Sequence, residues 1–162
     1  NVFCGYAIFF FPNIKRAFSE FYRVLLPGGR LGVSVPYGGD ERWQWYGELL
    51  DAYHKQYHFS LDQGGPFLAS TEVISLLSQT GFNSIETCIQ EFEFVYENAE
   101  DWWQSRWTEA GRFLLERIPS DALEHFKFDV FKRLEGLKQQ DGWHYRRKAC
   151  CFLATRPMLD QI

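Results

Sequence analysis

The run from Asn13 to Leu31 constrains this chain more than any other, because a complete helix, its stop signal and the start of an apolar strand follow one another there without a gap. Asn13 is a good N-cap, and Ile14, Ala17, Phe18, Phe21, Val24 and Leu25 recur on one helical face, so the helix must pack against a sheet. Pro27-Gly28-Gly29 ends it. The next residues, Leu31-Gly32-Val33-Ser34-Val35-Pro36, are a short apolar run of the kind that sits inside a parallel sheet covered on both faces. The pattern reads as one αβ unit from the later part of a larger α/β domain, with the front of the sheet expected outside these residues.

An apolar strand from Val2 to Phe11, a Pro12-Asn13 turn, a helix ending Glu20-Phe21-Tyr22-Arg23-Val24-Leu25-Leu26-Pro27-Gly28-Gly29-Arg30-Leu31 and a strand ending Ser34-Val35-Pro36 resemble the second half of the class I S-adenosylmethionine-dependent methyltransferases. In that family a motif E-x-x-R-V-L-x-P-G-G-x-L joins the fourth helix to the fifth strand. The resemblance is specific over residues 1–36 and looser beyond. It implies an α/β fold built as the second half of a Rossmann-like methyltransferase sheet, strands four to seven with the last antiparallel. Residues 1–162 would be a single partial domain, with a helical lid insertion at 98–140. The implied activity is transfer of a methyl group from S-adenosylmethionine to a small apolar or aromatic acceptor, this chain supplying the acceptor side. The family's Gly-rich turn after its first strand does not occur here, so weak or no cofactor binding by the chain alone is expected.

A parallel strand at an unpaired edge exposes backbone groups and two apolar faces, so a homodimer, or pairing with a missing N-terminal half, is the expected assembly. The 17 basic and 21 acidic residues give a net charge of −4, which offers no general attraction to a phosphate backbone. Nucleic acid is not an expected partner, and Arg146-Arg147-Lys148 reads as a solvated strand end. No apolar run approaches the roughly 20 residues that a spanning helix needs. No membrane partner is expected, and a soluble, cytoplasmic protein is. Cys4, Cys88, Cys150 and Cys151 lie in strand-like runs without metal-ligand spacing, which predicts reduced, buried thiols and no metal site.

Further along, Asp40 can cap a helix from Glu41 to His54 or Tyr57, and residues 61–67 are loop chemistry. Ser70 is the next N-cap candidate, for a helix that stops at Gly81. Ser84 to Tyr96 alternates with shifting parity, which predicts a bulge or bend near Gln90. Trp103, Trp107, Ala110 and Leu114 share one helical face, and Leu123 to Leu137 gives a second helix. Asp141-Gly142 turns into a final strand, Trp143 to Thr155, which the resemblance places antiparallel beside the fifth.

Three groups of residues could carry chemistry. Cys4-Gly5-Tyr6 ends the opening strand, where open α/β sheets bind ligands. The resemblance implies that these three line the cofactor, with Tyr6 also positioning an acceptor atom. Phe9, Phe10 and Tyr37 end neighbouring strands on one sheet edge and could wall an acceptor pocket. Trp43, Trp103 and Trp107 belong to aromatic helices that a lid would use to exclude water. Core packing is the competing reading for every one of these aromatics. His54 and His58 stand at i and i+4, a spacing read as a helix-surface pair, and His54 is the histidine nearest the post-strand-five region and hence the candidate base. For His125 and His144 no orienting acid can be identified. No Gly-x-Ser-x-Gly elbow supports a hydrolase. Two other classes stay open: a non-catalytic half-domain that dimerises or binds an apolar ligand, and half of a nicotinamide-linked oxidoreductase.

Overall fold

A computed structural model describes residues 1–57, 68–109 and 111–158. In chain order the elements are β1 (Val2–Gly5), a 3-10 turn (Ile8–Phe10), α1 (Ile14–Val24), β2 (Arg30–Pro36), a 3-10 turn (Glu41–Trp43), α2 (Gln44–Gln56), α3 (Ser70–Thr80), β3 (Asn83–Tyr96), α4 (Ala99–Trp107), α5 (Arg112–Leu115), α6 (Ser120–Leu134), a 3-10 turn (Glu135–Leu137) and β4 (Trp143–Thr155). The four strands form one mixed sheet in the order β1-β2-β4-β3. β1 runs parallel to β2, pairing Val2 with Leu31 and Gly5 with Ser34, and β4 runs antiparallel to β2, pairing Arg30 with Thr155 and Pro36 with Ala149. The chain divides into two compact units, Asn1–Gly38 with Pro66–Glu91 and Arg147–Ile162, and Gly39–Gly65 with Phe92–Arg146.

In the first unit, alternation along the strands sorts the sheet into two unequal faces. Leu31, Val33 and Val35 of β2 and Cys150, Phe152 and Ala154 of β4 are buried, as are Ala17 and Phe18 of α1 and Val73 and Leu77 of α3, and the two helices pack on each other. Gly32, Ser34 and Pro36 with Cys151, Leu153 and Thr155 point the other way and are only partly covered. The expectation of a strand covered on both faces is therefore corrected: among the described residues helices cover one face of this unit, while β4 lies antiparallel beside β2 as the resemblance implied.

The end of α1 is fastened by Arg156. Its Nη1 donates to the carbonyls of Tyr22 (2.7 Å), Leu25 (2.6 Å) and, more weakly, Arg23 (3.3 Å), and its guanidinium lies 4.6 Å from the centre of the Tyr22 ring. These carbonyls belong to the last helical turn and its cap, which lack intrahelical donors. The Arg156 main chain meanwhile accepts from Gly28 N–H and donates to the Gly29 carbonyl, both at 2.8 Å. Gly28 has φ +77°, and a Cβ there would stand 2.8 Å from the Met158 sulfur.

The second unit is an aromatic helical core. Trp43, Leu50, Trp102, Trp103, Leu115, Ile118, Ala122, Phe126, Val130, Leu134 and Trp143 are buried together. Trp143 Nε1–H donates to the Leu134 carbonyl (2.8 Å), and the Tyr53 hydroxyl donates to Asp129 (2.8 Å), with its phenol pKa pushed up to about 12 by burial and by that carboxylate. Gly142, at φ +129°, lies against the Tyr96 carbonyl so closely that a Cβ has no room.

Several sequence expectations move. The opening strand stops at Gly5, not Phe11, because a 3-10 turn buries Ile8 and Phe9 together, which the alternation of a strand could not do. Asp40 caps a 3-10 turn ahead of α2, its carboxylate accepting from Arg42 N–H. Ala69 takes the cap position expected of Ser70, and Glu72 reaches back to the Ala69 N–H (2.8 Å). β3 runs without a break through Gln90: its residues are mostly exposed on both faces, so nothing forces its aromatics onto one parity. The expected single helix through Trp103, Trp107 and Leu114 is two, α4 and α5, with Gly111 between them. Ala110, His58 and the 61–67 loop lie outside the described residues. Cys88 is exposed rather than buried, since it sits on that open strand.

Because Arg156 satisfies several orphan carbonyls at once, Arg156→Ala should lower unfolding free energy by about 2–3 kcal/mol. Arg156→Lys should recover less than half of that loss, since a point charge cannot span the same acceptors. Urea denaturation of the two variants measures both.

Candidate functional site

At the carboxyl end of β1 the chain turns through Tyr6, whose φ of +51° is a left-handed conformation seldom taken by a bulky residue. Such a residue costs of order 1–2 kcal/mol and persists only where its surroundings hold it. Here the Tyr6 N–H donates to the Ser34 carbonyl (3.0 Å) and lies 3.2 Å from the Ser34 hydroxyl. The Tyr6 hydroxyl donates to the Lys148 carbonyl (3.2 Å), which also accepts from the Tyr37 N–H (2.9 Å). The ends of β1, β2 and the middle of β4 thus meet at one carbonyl. Burial raises the Tyr6 pKa, opposed by Arg147 and reinforced by Cys151, so the phenol stays protonated at neutral pH and acts as a hydrogen-bond donor.

On the open sheet face beside this turn lies a hollow of about 450 Å³, walled by Phe3 and Gly5 of β1, Gly32 and Ser34 of β2, Glu86 and Cys88 of β3, and Cys151 and Leu153 of β4. The Phe3 ring, itself 78% exposed, lies over Gly32, where a Cβ would stand 2.7 Å from a ring carbon. A Cβ at Gly5, in contrast, would meet only the Ser34 hydroxyl oxygen at an ordinary 3.6 Å. The packing therefore explains Gly32 but not Gly5.

The structure brings some of the expected residues together and separates others. Gly5, Tyr6 and Tyr37 gather at the turn, with Tyr37 exposed at its rim. Cys4 reaches the hollow from the buried side of the strand, and burial pushes its thiol pKa up. Phe9 is buried in the 3-10 turn with its ring 4.7 Å from that of Phe10, which is 64% exposed. His54, Trp43, Trp103 and Trp107 all belong to the second unit. Trp43 stacks on Trp102 at 5.1 Å and donates to the His144 carbonyl (3.1 Å), Trp103 is buried against Phe126 at 6.1 Å, and Trp107 is partly buried at its edge. His54 does not sit on a helix surface: it is 1% exposed, with Nε2 3.0 Å from the Leu114 carbonyl. In the same core Arg106 lies between the Trp102 and Tyr145 rings, 5.0 Å from each centre, and pairs with Glu109 (3.0 Å).

Ser34 and Lys148 are the site residues that sequence reasoning missed, and their signal, a hydroxyl and a carbonyl opposite a turn, exists only once strands are paired. His144 does have carboxylate partners. Its Nε2 meets Asp141 (2.8 Å) and its Nδ1 meets Glu93 (3.2 Å); Glu93 also accepts from Arg146 (2.9 Å), and Asp40 accepts from the Arg146 N–H (3.2 Å) and from Arg42. Asp141 and Glu93 raise the His144 pKa, and with a carboxylate at each ring nitrogen the imidazole straps the two acids together. Since the folded pKa is raised, the strap is fully made below the unfolded value near 6.5 and is lost as pH rises through the folded one. An imidazole NMR titration should place the His144 midpoint above 6.5, and Asp141→Asn should bring it down.

No protein-family model and no curated protein sequence matches the chain. Solved structures do. A candidate methyltransferase of Bacillus halodurans superposes with a TM-score of 0.51 at 18% identity, covering 97% of this chain and 64% of that one. The YcgJ protein of Bacillus subtilis gives 0.51 at 15% identity, covering 98% and 64%. A phosphoethanolamine N-methyltransferase of Haemonchus contortus, in complex with phosphomonomethylethanolamine and S-adenosylhomocysteine, gives 0.41 at 19% identity, covering 96% and 33%. The chain thus spans just under two thirds of the two bacterial structures. At these identities the likeness is one of fold: the chain has a methyltransferase-like α/β fold around a four-stranded mixed sheet.

Proposed function

We propose that this fold serves S-adenosylmethionine-dependent methyl transfer to a small apolar or aromatic acceptor, and that the chain supplies the acceptor side of the domain. The observation that carries the reading is the strand order β1-β2-β4-β3, with β4 reversed relative to β2, in a chain that superposes on a candidate methyltransferase. S-adenosylmethionine, when bound, supplies a methyl group activated by the sulfonium. The residues at the end of β1 fit such a group in part. Gly5 is a glycine that packing does not require, which suits close approach of a ligand to the backbone. Tyr6 presents a protonated phenol fixed on the Lys148 carbonyl, and a phenol oxygen so held can still accept a hydrogen bond from an acceptor group. Phe10 and Tyr37 supply exposed aromatic surface near the turn, Phe9 stays buried beneath Phe10, and Cys4 lines the hollow. Holding the acceptor in line, with water kept away, is sufficient catalysis for a direct displacement.

A second reading, a half-domain that pairs with a second copy or with a complementing segment, is favoured by the uncovered sheet face and its apolar hollow. Two measurements separate the parts of the proposal. Calorimetric titration of the chain with S-adenosylhomocysteine should show no saturable binding tighter than about 1 mM. Addition of a polypeptide carrying a Gly-rich strand–turn–helix should bring binding and transfer of a labelled methyl group; micromolar affinity of the chain alone, or no transfer after complementation, would contradict the acceptor-side assignment. In gel filtration the chain should elute as a dimer or larger, and a monomer at every concentration would remove the pairing reading.

A further inference from the structure

We infer that Cys88 of β3 and Cys151 of β4 form a cross-strand dithiol modification site, which a low-molecular-weight disulfide closes into an intramolecular disulfide on the floor of the open-face hollow. Both residues wall that hollow. The β2–β4 register sets Cys151 opposite Ser34 and Leu153 opposite Gly32, so Cys151 faces the cavity, whereas its neighbour Cys150, 4% exposed, faces the buried layer. Glu91 of β3 pairs with Lys148 of β4 (3.4 Å) and Glu93 with Arg146 (2.9 Å), a progression in opposite directions along the two strands that sets Cys88 opposite Cys151. Cys88 lies near enough to Cys151 to raise the pKa of its thiol. Directly opposed residues of an antiparallel pair have Cα atoms roughly 4.5–5.5 Å apart, within the roughly 4.4–6.8 Å that a disulfide spans.

The pair also divides the labour that thiol–disulfide exchange needs. Cys88 is exposed and carries the Gln90 amide 3.7 Å from its sulfur, while Cys151 is half-covered. With glutathione disulfide as oxidant, the Cys88 thiolate attacks one sulfur, forms a mixed disulfide and expels one glutathione thiolate. The Cys151 sulfur then attacks the Cys88 sulfur and expels the second glutathione. Two thiol protons leave the protein, two electrons pass to the oxidant, and one protein disulfide and two glutathione thiols result. Cys88 is the more exposed thiol and meets the oxidant first; burial, then the nearness of Cys88, raises the Cys151 pKa, which suits Cys151 to the resolving step.

The test is exposure of the folded chain to glutathione disulfide, alkylation of remaining thiols, and peptide mass spectrometry that distinguishes Cys150 from Cys151. The expected product is a Cys88–Cys151 bridge two hydrogens lighter, with Cys4 and Cys150 recovered alkylated only after unfolding. Cys150→Ser should leave the bridge intact, and Cys151→Ser should accumulate glutathione on Cys88. A mixed disulfide that persists on Cys88 in the unaltered chain, bridging to Cys150, or full alkylation of both Cys88 and Cys151 after oxidant would each overturn the inference. Oxidation in urea, where the two faces no longer exist, should scramble the choice between Cys150 and Cys151; the same selectivity in urea would also overturn it.

Discussion

The Arg156 clasp is the contact on which the first unit turns, because it joins the end of α1, the Gly28-Gly29 turn and the end of β4 in one set of hydrogen bonds. A helix ends with carbonyls that nothing inside it can satisfy. One guanidinium reaches from the end of β4 to Tyr22 and Leu25, while its own peptide pairs with Gly28 and Gly29. The Pro-Gly-Gly turn thus does more than stop α1. Gly28 takes the left-handed conformation and leaves room that a side chain would fill, so that β4 can come alongside and α1 can be capped from outside. Once β4 is held at that end, its antiparallel register with β2 follows, and with it the placement of Lys148, Cys150 and Cys151.

That register decides which residues can be functional. Alternation sends Cys150, Phe152 and Ala154 into the layer shared with α1 and α3, and sends Cys151 and Leu153 to the open side. Lys148 contributes its carbonyl, not its amine, to the turn after β1, while its ammonium pairs with Glu91. The charge cluster that reads from sequence as a solvated strand end therefore hides a main-chain acceptor that organises Tyr6 and Tyr37. Chemistry at this edge is set by backbone groups, which composition does not reveal.

What the sequence made legible is local. Asn13 caps α1, Gly81 stops α3 at φ +104°, and Asp141-Gly142 turns the chain into β4, each through a rule that needs only neighbouring residues. The reversed last strand beside β2 came from resemblance to a family, not from periodicity. What could not be read depends on partners distant in the chain. Ile8 and Phe9 look like strand residues until a 3-10 turn buries both; His54 looks like half of a surface pair until Leu114 comes within 3.0 Å. His144 gains its carboxylates through Glu93 on another strand as much as through Asp141 three residues away. Tryptophans at helical spacing proved uninformative about ligand contact, since the same spacing builds a stacked core of Trp43, Trp45 and Trp102.

The end of β1 is the place where local rules and structure disagree most usefully. A chain selected for stability alone would set glycine at the left-handed position and a side chain at the one before it, where packing leaves space. Here the order is reversed: Gly5 stands where a Cβ would fit, and Tyr6 takes φ +51°. Hydrogen bonds from its N–H to Ser34 and from its hydroxyl to Lys148 offset the strain but do not require it, since a glycine at the same position would keep the first and avoid the cost. The phenol is what tyrosine adds at this position, through its bond to the Lys148 carbonyl, and the absent side chain at Gly5 leaves the backbone beside it approachable. Strain held at a strand's carboxyl end, next to a hollow on an uncovered sheet face, is what the proposed site at the end of β1 would call for.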